Sequence, residues 1–550
     1  MTSLVQSVDW VAVAPVLVTA LTGLAVLVTD LFLAPRHKPL LGWVTIAGLA
    51  LAALCLIPLT DGDRATFCLT TGDRQCSYVA DHFALAVQLL VVGGALLTAL
   101  LSVTTVRREA LPAGEYWFLL LSSAAGAALL PASRDLATLI VALEVASLPA
   151  FALVGLRRGD RGSAEAALKF FLSSVVATAV SLLGVSFVYA ATGSLHLDTV
   201  AGGLDDVDPR LNALAALGVV LTLVGFAFKL AAVPFHFWVP DSYVGAPLPV
   251  AAYLSVVGKS AGFSGLALVT VVAFRPYADT WGPALAVLAA LTMTTGNVAA
   301  LRQRPDQPAS AVRLLAWSSV GQAGYLLVPL AAAGYHDDPE EMVGATVAYA
   351  LMYAVVNLGA FAVVALVAEN RPGHRLTDHR ALFSRNPLAA LTMGFFLLCL
   401  AGLPPGVIGL FAKVAVFRTA VDSGLGWLAV VMAVNVTIAL YYYLKWTALL
   451  FATPTTATPT TTPAARATAT TAPAAPTPGT ATPGAPGQAT APTATGSTVA
   501  GSTATAAREP SVPASVPHPL TAAIALAAAL GVALSGAPQL ILRLASGTLF

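Results

Sequence analysis

The sequence predicts an all-α polytopic membrane protein with about fourteen transmembrane helices. Of its 550 residues, 57% are hydrophobic and only 10% are charged, and the mean hydropathy is +0.81. A soluble domain carries about a quarter charged residues. Apolar runs of about 17 to 25 residues, the length that crosses a bilayer, recur along the chain. The apolar composition and these recurring runs make the lipid bilayer the expected environment. The formal net charge of +1 gives no indication of a nucleic-acid partner.

The apolar runs give the predicted helices in chain order. They lie near 11–33, 40–59, 83–105, 116–132, 136–155, 166–191, 211–239, 250–273, 282–301, 313–332, 342–368, 388–417, 426–451 and 520–546. We predict five parts: an amino-terminal three-helix segment (1–110), two five-helix units (111–275 and 276–452), a linker (453–518) and a carboxy-terminal helix (519–550).

The short loops set the orientation, because cytoplasmic loops keep an excess of Lys and Arg. One set of alternate loops contains PRHK, VRRE, LRRGDRGS and RQRPDQ, whereas the opposite set contains HLDTVAGGLDDVDPR and YHDDPEE. The basic set is therefore expected in the cytoplasm. An even number of spans then places both termini outside a cell membrane.

Two regions depart from the pattern of spans and short loops. Residues 453–518 consist almost wholly of Ala, Thr, Pro, Gly and Ser, which provide too little apolar surface for folding, so we expect a disordered cytoplasmic linker. Cys68 and Cys76 lie eight residues apart in the first external loop. An oxidising exterior would allow a disulfide there, and two unlinked thiols are the alternative.

Four ionisable residues inside the apolar runs stand out as candidates for buried charges: Glu144, Lys229, Lys259 and Lys413. A charge at the bilayer centre costs about 2.5–3.5 kcal/mol even on a lenient scale, so each needs a partner, water or a function. The short spans of Glu144 and Lys259 fix their depth and favour a functional role. Lys229 and Lys413 lie nearer the ends of their runs, where a lysine can also extend to the interface.

The runs that contain Lys229 and Lys413 are too long for one straight helix. Runs 211–239 and 388–417 would reach about 44 Å at 1.5 Å per residue, against a hydrocarbon core of about 30 Å. Pro234 follows Lys229, and Pro404 and Pro405 precede Lys413, so proline is expected to break each helix. Broken helices at membrane depth line cavities or are buried in protein, which favours functional roles for both lysines.

The spacing of polar residues predicts an internal repeat. Lys229 and Lys259 are 30 residues apart and Lys413 and Lys445 are 32 apart, while Glu144 precedes Lys229 by 85 residues and Gln322 precedes Lys413 by 91. Two successive units of five helices insert with opposite orientations, as in the inverted repeats of ion transporters.

Four segments make the sequence similar to a known family. They are LEVASLPAFALVGLRRGDRGSAEAALKFF, FKLAAVPFHFWVPDSYVGAPLPVAAYLSVVGKSAGF, RLLAWSSVGQAGYLL and LAGLPPGVIGLFAKVAVF. Together they resemble subunit N of the proton-pumping NADH-quinone oxidoreductase, complex I. PDSYVGAP and EAALKFF resemble subunit N more than its sister subunits or Mrp-type cation/proton antiporters. The similarity covers nearly the whole chain outside 453–518.

The resemblance implies fourteen helices in two inverted five-helix units and a row of ionisable residues in the membrane plane. That row would contain a Glu in helix five matching Glu144, a Lys in broken helix seven matching Lys229, a Lys in helix eight matching Lys259, and a Lys in broken helix twelve matching Lys413. These are the four residues that the apolar runs had already singled out.

Three positions depart from the family pattern. Gln322 occupies a place where the family usually has a histidine, Val244 a place where it has a glutamate, and Ala412 a place where it has a glycine. Gln322 replaces a titratable group with one that can only organise water. A paralogue with an altered second half-channel is therefore an alternative.

A buried lysine can gain and lose a proton near neutral pH when its surroundings change, which an arginine cannot do. The expected path starts with Lys229 held protonated by Glu144, and separation of the two drives the proton to Lys259 and then Lys413. His236 could feed protons in or could pack against the backbone freed by Pro234.

Two further lysines have open roles. Lys169, four residues after Glu165, is expected to form a helix-surface ion pair, and the resemblance adds a role in proton uptake. Lys445 is expected either at the interface or at the exit of the path.

No flavin, nicotinamide or iron–sulfur motif occurs in the sequence. The resemblance therefore implies that FMN, iron–sulfur clusters, NADH and quinone bind partner subunits, and that the chain contacts other membrane-arm subunits and, through them, the peripheral redox arm. The alternatives are a stand-alone or Mrp-type monovalent cation/proton antiporter and a structural subunit with an impaired channel.

Overall fold

The computed structural model describes residues 7–69, 75–336, 338–453 and 517–541, and within them the chain is almost entirely helical. The helices are α1 (Trp10–Phe32), α2 (Leu40–Leu54), α3 (His82–Arg108), α4 (Ala113–Leu129), α5 (Leu136–Val154), α6 (Arg161–Thr192), α7 (Leu197–Asp205), α8 (Asn212–Leu230), α9 (Trp238–Gly245), α10 (Leu248–Ala267), α11 (Ala278–Leu301), α12 (Ser310–Ala332), α13 (Pro339–Ala368), α14 (Leu382–Arg385), α15 (Pro387–Ala401), α16 (Val407–Asp422), α17 (Gly426–Phe451) and α18 (His518–Gly536). A π-helical segment, Leu268–Ala273, continues α10.

In the described part of the chain, thirteen helical segments are long and apolar enough to cross a membrane, and α15 is a shorter apolar helix. The predicted polytopic all-α fold is confirmed, whereas the count of about fourteen spans stays a prediction. Most of the predicted linker, residues 454–516, lies outside the described residues, as do residues 542–550 at the end of the last predicted helix.

Aspartates in the connections start several helices. The side chain of Asp135 accepts a hydrogen bond from the amide of Thr138 at the start of α5, and Asp160 accepts from Gly162 and Ser163 at the start of α6. Such caps satisfy amide groups that have no partner within the helix. Polar residues between the apolar runs therefore fix where these spans begin.

A hairpin and a buried ion pair lie at the end of the helices that the loop charges assign to the exterior. Strands β1 (Arg64–Cys68) and β2 (Cys76–Ala80) pair antiparallel with Cys68 opposite Cys76, and a disulfide joins these two cysteines as predicted. Next to β2, Asp81 caps α3 and forms a buried ion pair with Arg134, which precedes α5. Burial raises the pKa of Asp81, and the Arg134 guanidinium opposes the rise.

Both predicted helix breaks are confirmed. Helix α8 ends at Leu230, Ala231 takes a left-handed conformation, and α9 begins only at Trp238, with Pro234 in the cis form between them. Helix α15 ends at Ala401, and α16 begins at Val407 after the cis Pro404–Pro405 bond. The carbonyl groups at the ends of α8 and α15 consequently lie inside the protein.

The order of three helices, one broken helix and one further helix occurs twice. It is α4, α5, α6, α8/α9 and α10 in the first half, and α11, α12, α13, α15/α16 and α17 in the second. This is the order expected of two five-helix units, whose boundaries and opposite orientations remain predictions. Helices α10, α12 and α13 are the most buried spans, so the two halves share a central core.

Candidate functional site

Lys229 lies in the last turn of α8, with 2% of its surface exposed. Its Nζ donates to Ser147 Oγ on α5 at 2.8 Å and lies 5.9 and 5.6 Å from the ring centroids of Phe151 and Phe170. Within the described chain no ion pair joins it to Glu144, which instead accepts a hydrogen bond of 2.6 Å from Thr178. Because Ser147 is one turn beyond Glu144 on α5, the carboxylate is nearby without direct contact.

Lys259 reaches the broken end of α8 from the middle of α10. Its Nζ donates to the carbonyl of Ser319 at 2.6 Å and to that of Leu230 at 3.4 Å, and the residue is 2% exposed. Gly262, three residues further along α10, makes this approach possible, because a Cβ there would overlap the backbone of Leu230. Lys259 Nζ thus contacts the carbonyl of the residue that follows Lys229 in the chain.

Lys413 also contacts the carboxyl end of a broken helix, but from α16, the second part of that same helix. Its Nζ donates to the carbonyls of Leu400 and Ala401, the last two residues of α15, at 2.7 and 2.8 Å. Gly409 allows α16 to pass this closely, because a Cβ there would overlap the carbonyl of Cys399. Helix carboxyl ends attract cations, so both Lys259 and Lys413 are held by backbone dipoles.

Gln322 lies on α12 between Lys259 and Lys413 and is 3% exposed. Its Oε1 accepts a short hydrogen bond from the hydroxyl of Tyr349, and its Nε2 donates to the hydroxyl of Tyr443 at 3.3 Å. The amide therefore has partners on both sides, as a neutral histidine would have. It can orient these hydroxyls, but it cannot carry the proton itself.

A set of buried tyrosines surrounds Gln322, and sequence reasoning missed it. Tyr353 donates to Ser319 Oγ at 2.8 Å, one turn from Gln322, while Ser319 provides the carbonyl that holds Lys259. Tyr349 stacks on Tyr325 with ring centroids 5.9 Å apart, and Lys413 Nζ lies 5.6 Å from the Tyr325 ring centroid. The repeat Y-A-L-M-Y in α13, which places two tyrosines one turn apart, was the available signal.

The accessory candidates lie towards the ends of the helices. Lys169 pairs with Glu165 at 2.7 Å, as expected, and also with Asp241 on α9 at 3.0 Å. Together with Arg313 these residues line a cavity of about 330 Å³. Half-buried His236 lies within the break between α8 and α9, packs against Trp317 and has no partner for Nδ1 among the described residues.

Lys445 differs from the other lysines of the spans. Its side chain is exposed on α17, and its Nζ lies 5.8 Å from the ring centroid of Tyr441. It is therefore not joined to the buried lysines. In the described part of the chain, no group of three or more His, Cys, Asp or Glu side chains has the arrangement of a metal site.

The family model described as NADH:quinone oxidoreductase/Mrp antiporter, TM, matches residues 133–439. NADH-quinone oxidoreductase subunit N 2 of Streptomyces griseus is 67% identical over 548 residues, covering 100% of this chain and 95% of the relative. NADH-quinone oxidoreductase subunit N of Salinispora tropica is 46% identical over 469 residues, covering 84% and 89%.

Two solved structures have the same arrangement of helices. A chain of respiratory complex I from Thermus thermophilus is 29% identical, with a TM-score of 0.68 and coverage of 97% of this chain and 100% of that chain. A chain of the Mrp complex from Dietzia has a TM-score of 0.74 and coverage of 96% of both chains at 21% identity, which shows a shared fold alone.

Proposed function

The chain belongs to the NADH:quinone oxidoreductase/Mrp antiporter family as a relative of NADH-quinone oxidoreductase subunit N, and we propose that it moves protons within that complex. The resemblance found in the sequence is thereby confirmed. The chain is an antiporter-like, multi-pass membrane subunit of complex I, which assembles with other membrane-arm and peripheral subunits.

One observation carries the proposal: three lysines are almost fully buried without a carboxylate partner. Lys229, Lys259 and Lys413 are 2%, 2% and 6% exposed, and within the described residues each donates only to hydroxyl or carbonyl oxygen. An ammonium group away from water is costly unless it is paired, and release of its proton removes the cost. A structural lysine would be expected to have a counter-ion at such depth.

The proposed path runs along the row of these lysines. Ser147 and not the Glu144 carboxylate contacts the ammonium of Lys229. Glu144 therefore acts on Lys229 by electrostatic attraction at short range, without a direct hydrogen bond. A proton leaving Lys229 passes to Lys259 beside the broken end of α8. From Lys259 the hydroxyls around Gln322 lead towards Lys413, with water completing the gaps.

Protons would enter the path near the charged cavity that contains Lys169 and Asp241, and would pass from there to His236 in the break after α8. Gln322 would orient hydroxyls and water. Exposed Lys445 would lie at an interface with lipid or a partner subunit. The positive loops would face the cytoplasm, and both termini would lie outside a cell membrane.

The redox chemistry would belong to partner subunits. NADH, FMN, iron–sulfur clusters and quinone would bind there, and this chain would respond to their turnover by proton transfer. This assignment extends the sequence prediction and rests on the match to subunit N over the whole chain.

Purification of the tagged chain in mild detergent tests the assignment. Co-purifying subunits that carry flavin and iron–sulfur clusters, together with proton uptake driven by NADH in inverted vesicles, are the expected results. A stand-alone cation/proton antiporter would exchange Na⁺ or K⁺ for protons without NADH or those partners. If the chain were a structural subunit with an impaired channel, the complex would assemble. Substitution of the buried lysines would then leave the number of protons moved per electron unchanged.

A further inference from the structure

A cavity of about 420 Å³ lies at one end of the first helices, away from the row of buried lysines. Asp30 in the last turn of α1, Arg107 in the last turn of α3 and Glu115 in the first turn of α4 line it. Lys38 and Arg158 reach it from the connections α1–α2 and α5–α6. Because the polar lining comes from helix ends and connections, the cavity lies at the depth of the lipid headgroups.

Two guanidinium groups in this lining have no partner among the described residues. Arg107 and Arg158 make no hydrogen bond or ion pair there, although their direct neighbours do: Arg108 pairs with Glu369 at 2.8 Å and Arg157 with Glu109 at 2.8 Å. Lys38 is already engaged by Asp30 at 2.9 Å. The cavity therefore holds two free groups of the type that binds phosphate through two parallel hydrogen bonds.

The deeper lining of the cavity is apolar. Val103 lines it one turn inside Arg107 on α3, Val106 directly precedes Arg107, and Trp117 lines it two residues inside Glu115 on α4. A soluble phosphate or nucleotide would gain nothing from this wall. A molecule with a phosphate at one end and hydrocarbon at the other fits both parts.

Glu115 determines which headgroup fits. Its exposed carboxylate lines the same cavity and has no ion-pair partner among the described residues. With Lys38 and Asp30 compensating each other, two positive charges and one negative charge remain. A phosphate diester that carries a primary ammonium can pair with all three groups, whereas an anionic headgroup leaves the Glu115 carboxylate without a cation.

We propose that this cavity binds the headgroup of an aminophospholipid such as phosphatidylethanolamine, with its phosphate at Arg107 and Arg158 and its ammonium at Glu115. The acyl chains lie along Val103, Val106 and Trp117 towards the bilayer interior. Such a lipid would fill the space between the amino-terminal helices α1 and α3 and the start of α4.

Photoactivatable phosphatidylethanolamine and phosphatidylglycerol, each in nanodiscs with the purified complex, test the site. Phosphatidylethanolamine is expected to label peptides from the start of α4, and the double variant Arg107→Gln/Arg158→Gln should reduce this labelling about tenfold or more. Glu115→Gln should keep labelling but remove the preference over phosphatidylglycerol. Arg302→Gln, at an exposed arginine outside this lining, is the matched control.

Three results would overturn the proposal. Equal labelling by both lipids in the wild type would remove the selection by Glu115. Loss of labelling on addition of excess inorganic phosphate would indicate a soluble phosphate ligand. Absence of label at α4 in the complex would mean that a partner subunit covers the cavity. NADH oxidation by each preparation verifies that the complex is assembled, and the comparison of lipids in the wild type needs no variant.

Discussion

Replacement of Lys229 by arginine separates a proton carrier from a structural counter-charge. In the structure, Lys229 Nζ donates to Ser147 Oγ at 2.8 Å, and the side chain is 2% exposed between Phe151 and Phe170. Arginine retains the charge and the ability to donate to Ser147. The larger head adds packing strain of about 1–3 kcal/mol, which a large assembled complex can absorb.

The cost of proton release is far larger. Arginine stays protonated at every accessible pH, because the neutral guanidine lies about 7–9 kcal/mol above the charged form at pH 7. Such a barrier would slow transfer through this position by about 10⁵-fold or more. We therefore expect Lys229→Arg to impair proton translocation about as severely as Lys229→Ala, with the complex assembled in both cases.

Proton uptake by inverted vesicles, measured per electron passed from NADH to quinone, provides the readout. Lys445→Arg is the matched control, because Lys445 is exposed on α17 and should tolerate the exchange. Arginine could also fail through its shape, so only a loss with normal amounts of intact complex counts. Translocation by Lys229→Arg at the wild-type ratio of protons to electrons would refute the carrier role and leave Lys229 as a counter-charge.

Four further outcomes are expected. Gln322→His should keep proton translocation, since an imidazole can also contact both Tyr349 and Tyr443. Gln322→Leu should reduce it, because the buried Tyr349 hydroxyl loses its acceptor, and normal translocation by the leucine variant would show that this contact is dispensable. Deletion of residues 455–515 should leave assembly and NADH-driven translocation near wild type because of their composition, and loss of assembly would identify a partner-binding segment. Cys68 and Cys76 should resist alkylation in intact cells until a reductant is added, and labelling without reductant would contradict the disulfide. His379 is fully buried in the loop between α13 and α15, residues 370–386. Burial lowers the pKa of His379 to about 4, so the folded loop should lose about 3 kcal/mol of stability as the pH falls from the ordinary pKa of about 6.5 towards 4. Hydrogen exchange of residues 370–386, corrected for intrinsic rates, should show acid opening in the wild type and a flatter pH dependence in His379→Gln, and identical profiles would exclude His379 as the cause.

The helix breaks could be predicted from the sequence because two independent signals coincide there, the excess length of the apolar run and a proline inside it. A run of about 30 apolar residues exceeds the bilayer, and Pro234 or the Pro404–Pro405 pair lies inside it. The buried lysines could be predicted for a similar reason, since a charge within hydrocarbon is rare and costly. Both features depend only on the residues of a single apolar run.

The partners of those lysines could not be predicted, because they depend on how different helices pack. Coulomb attraction suggested Glu144 as the partner of Lys229, yet Ser147 makes the contact, one turn away on the same helix. The carbonyls that hold Lys413 belong to residues with apolar side chains, so the sequence contains no sign of them. The buried tyrosines were overlooked because tyrosine in an apolar run is usually a packing residue.

The contacts of Lys259 and Lys413 with the carboxyl ends of α8 and α15 make backbone position and proton occupancy mutually dependent. A charged amine binds those carbonyl oxygens more strongly than a neutral one. A shift of either helix end by partner subunits would therefore change the proton affinity of the lysine, and by reciprocity arrival of a proton would pull the helix end back. The free energy by which a helix displacement changes proton binding would then equal the free energy by which proton binding favours that displacement.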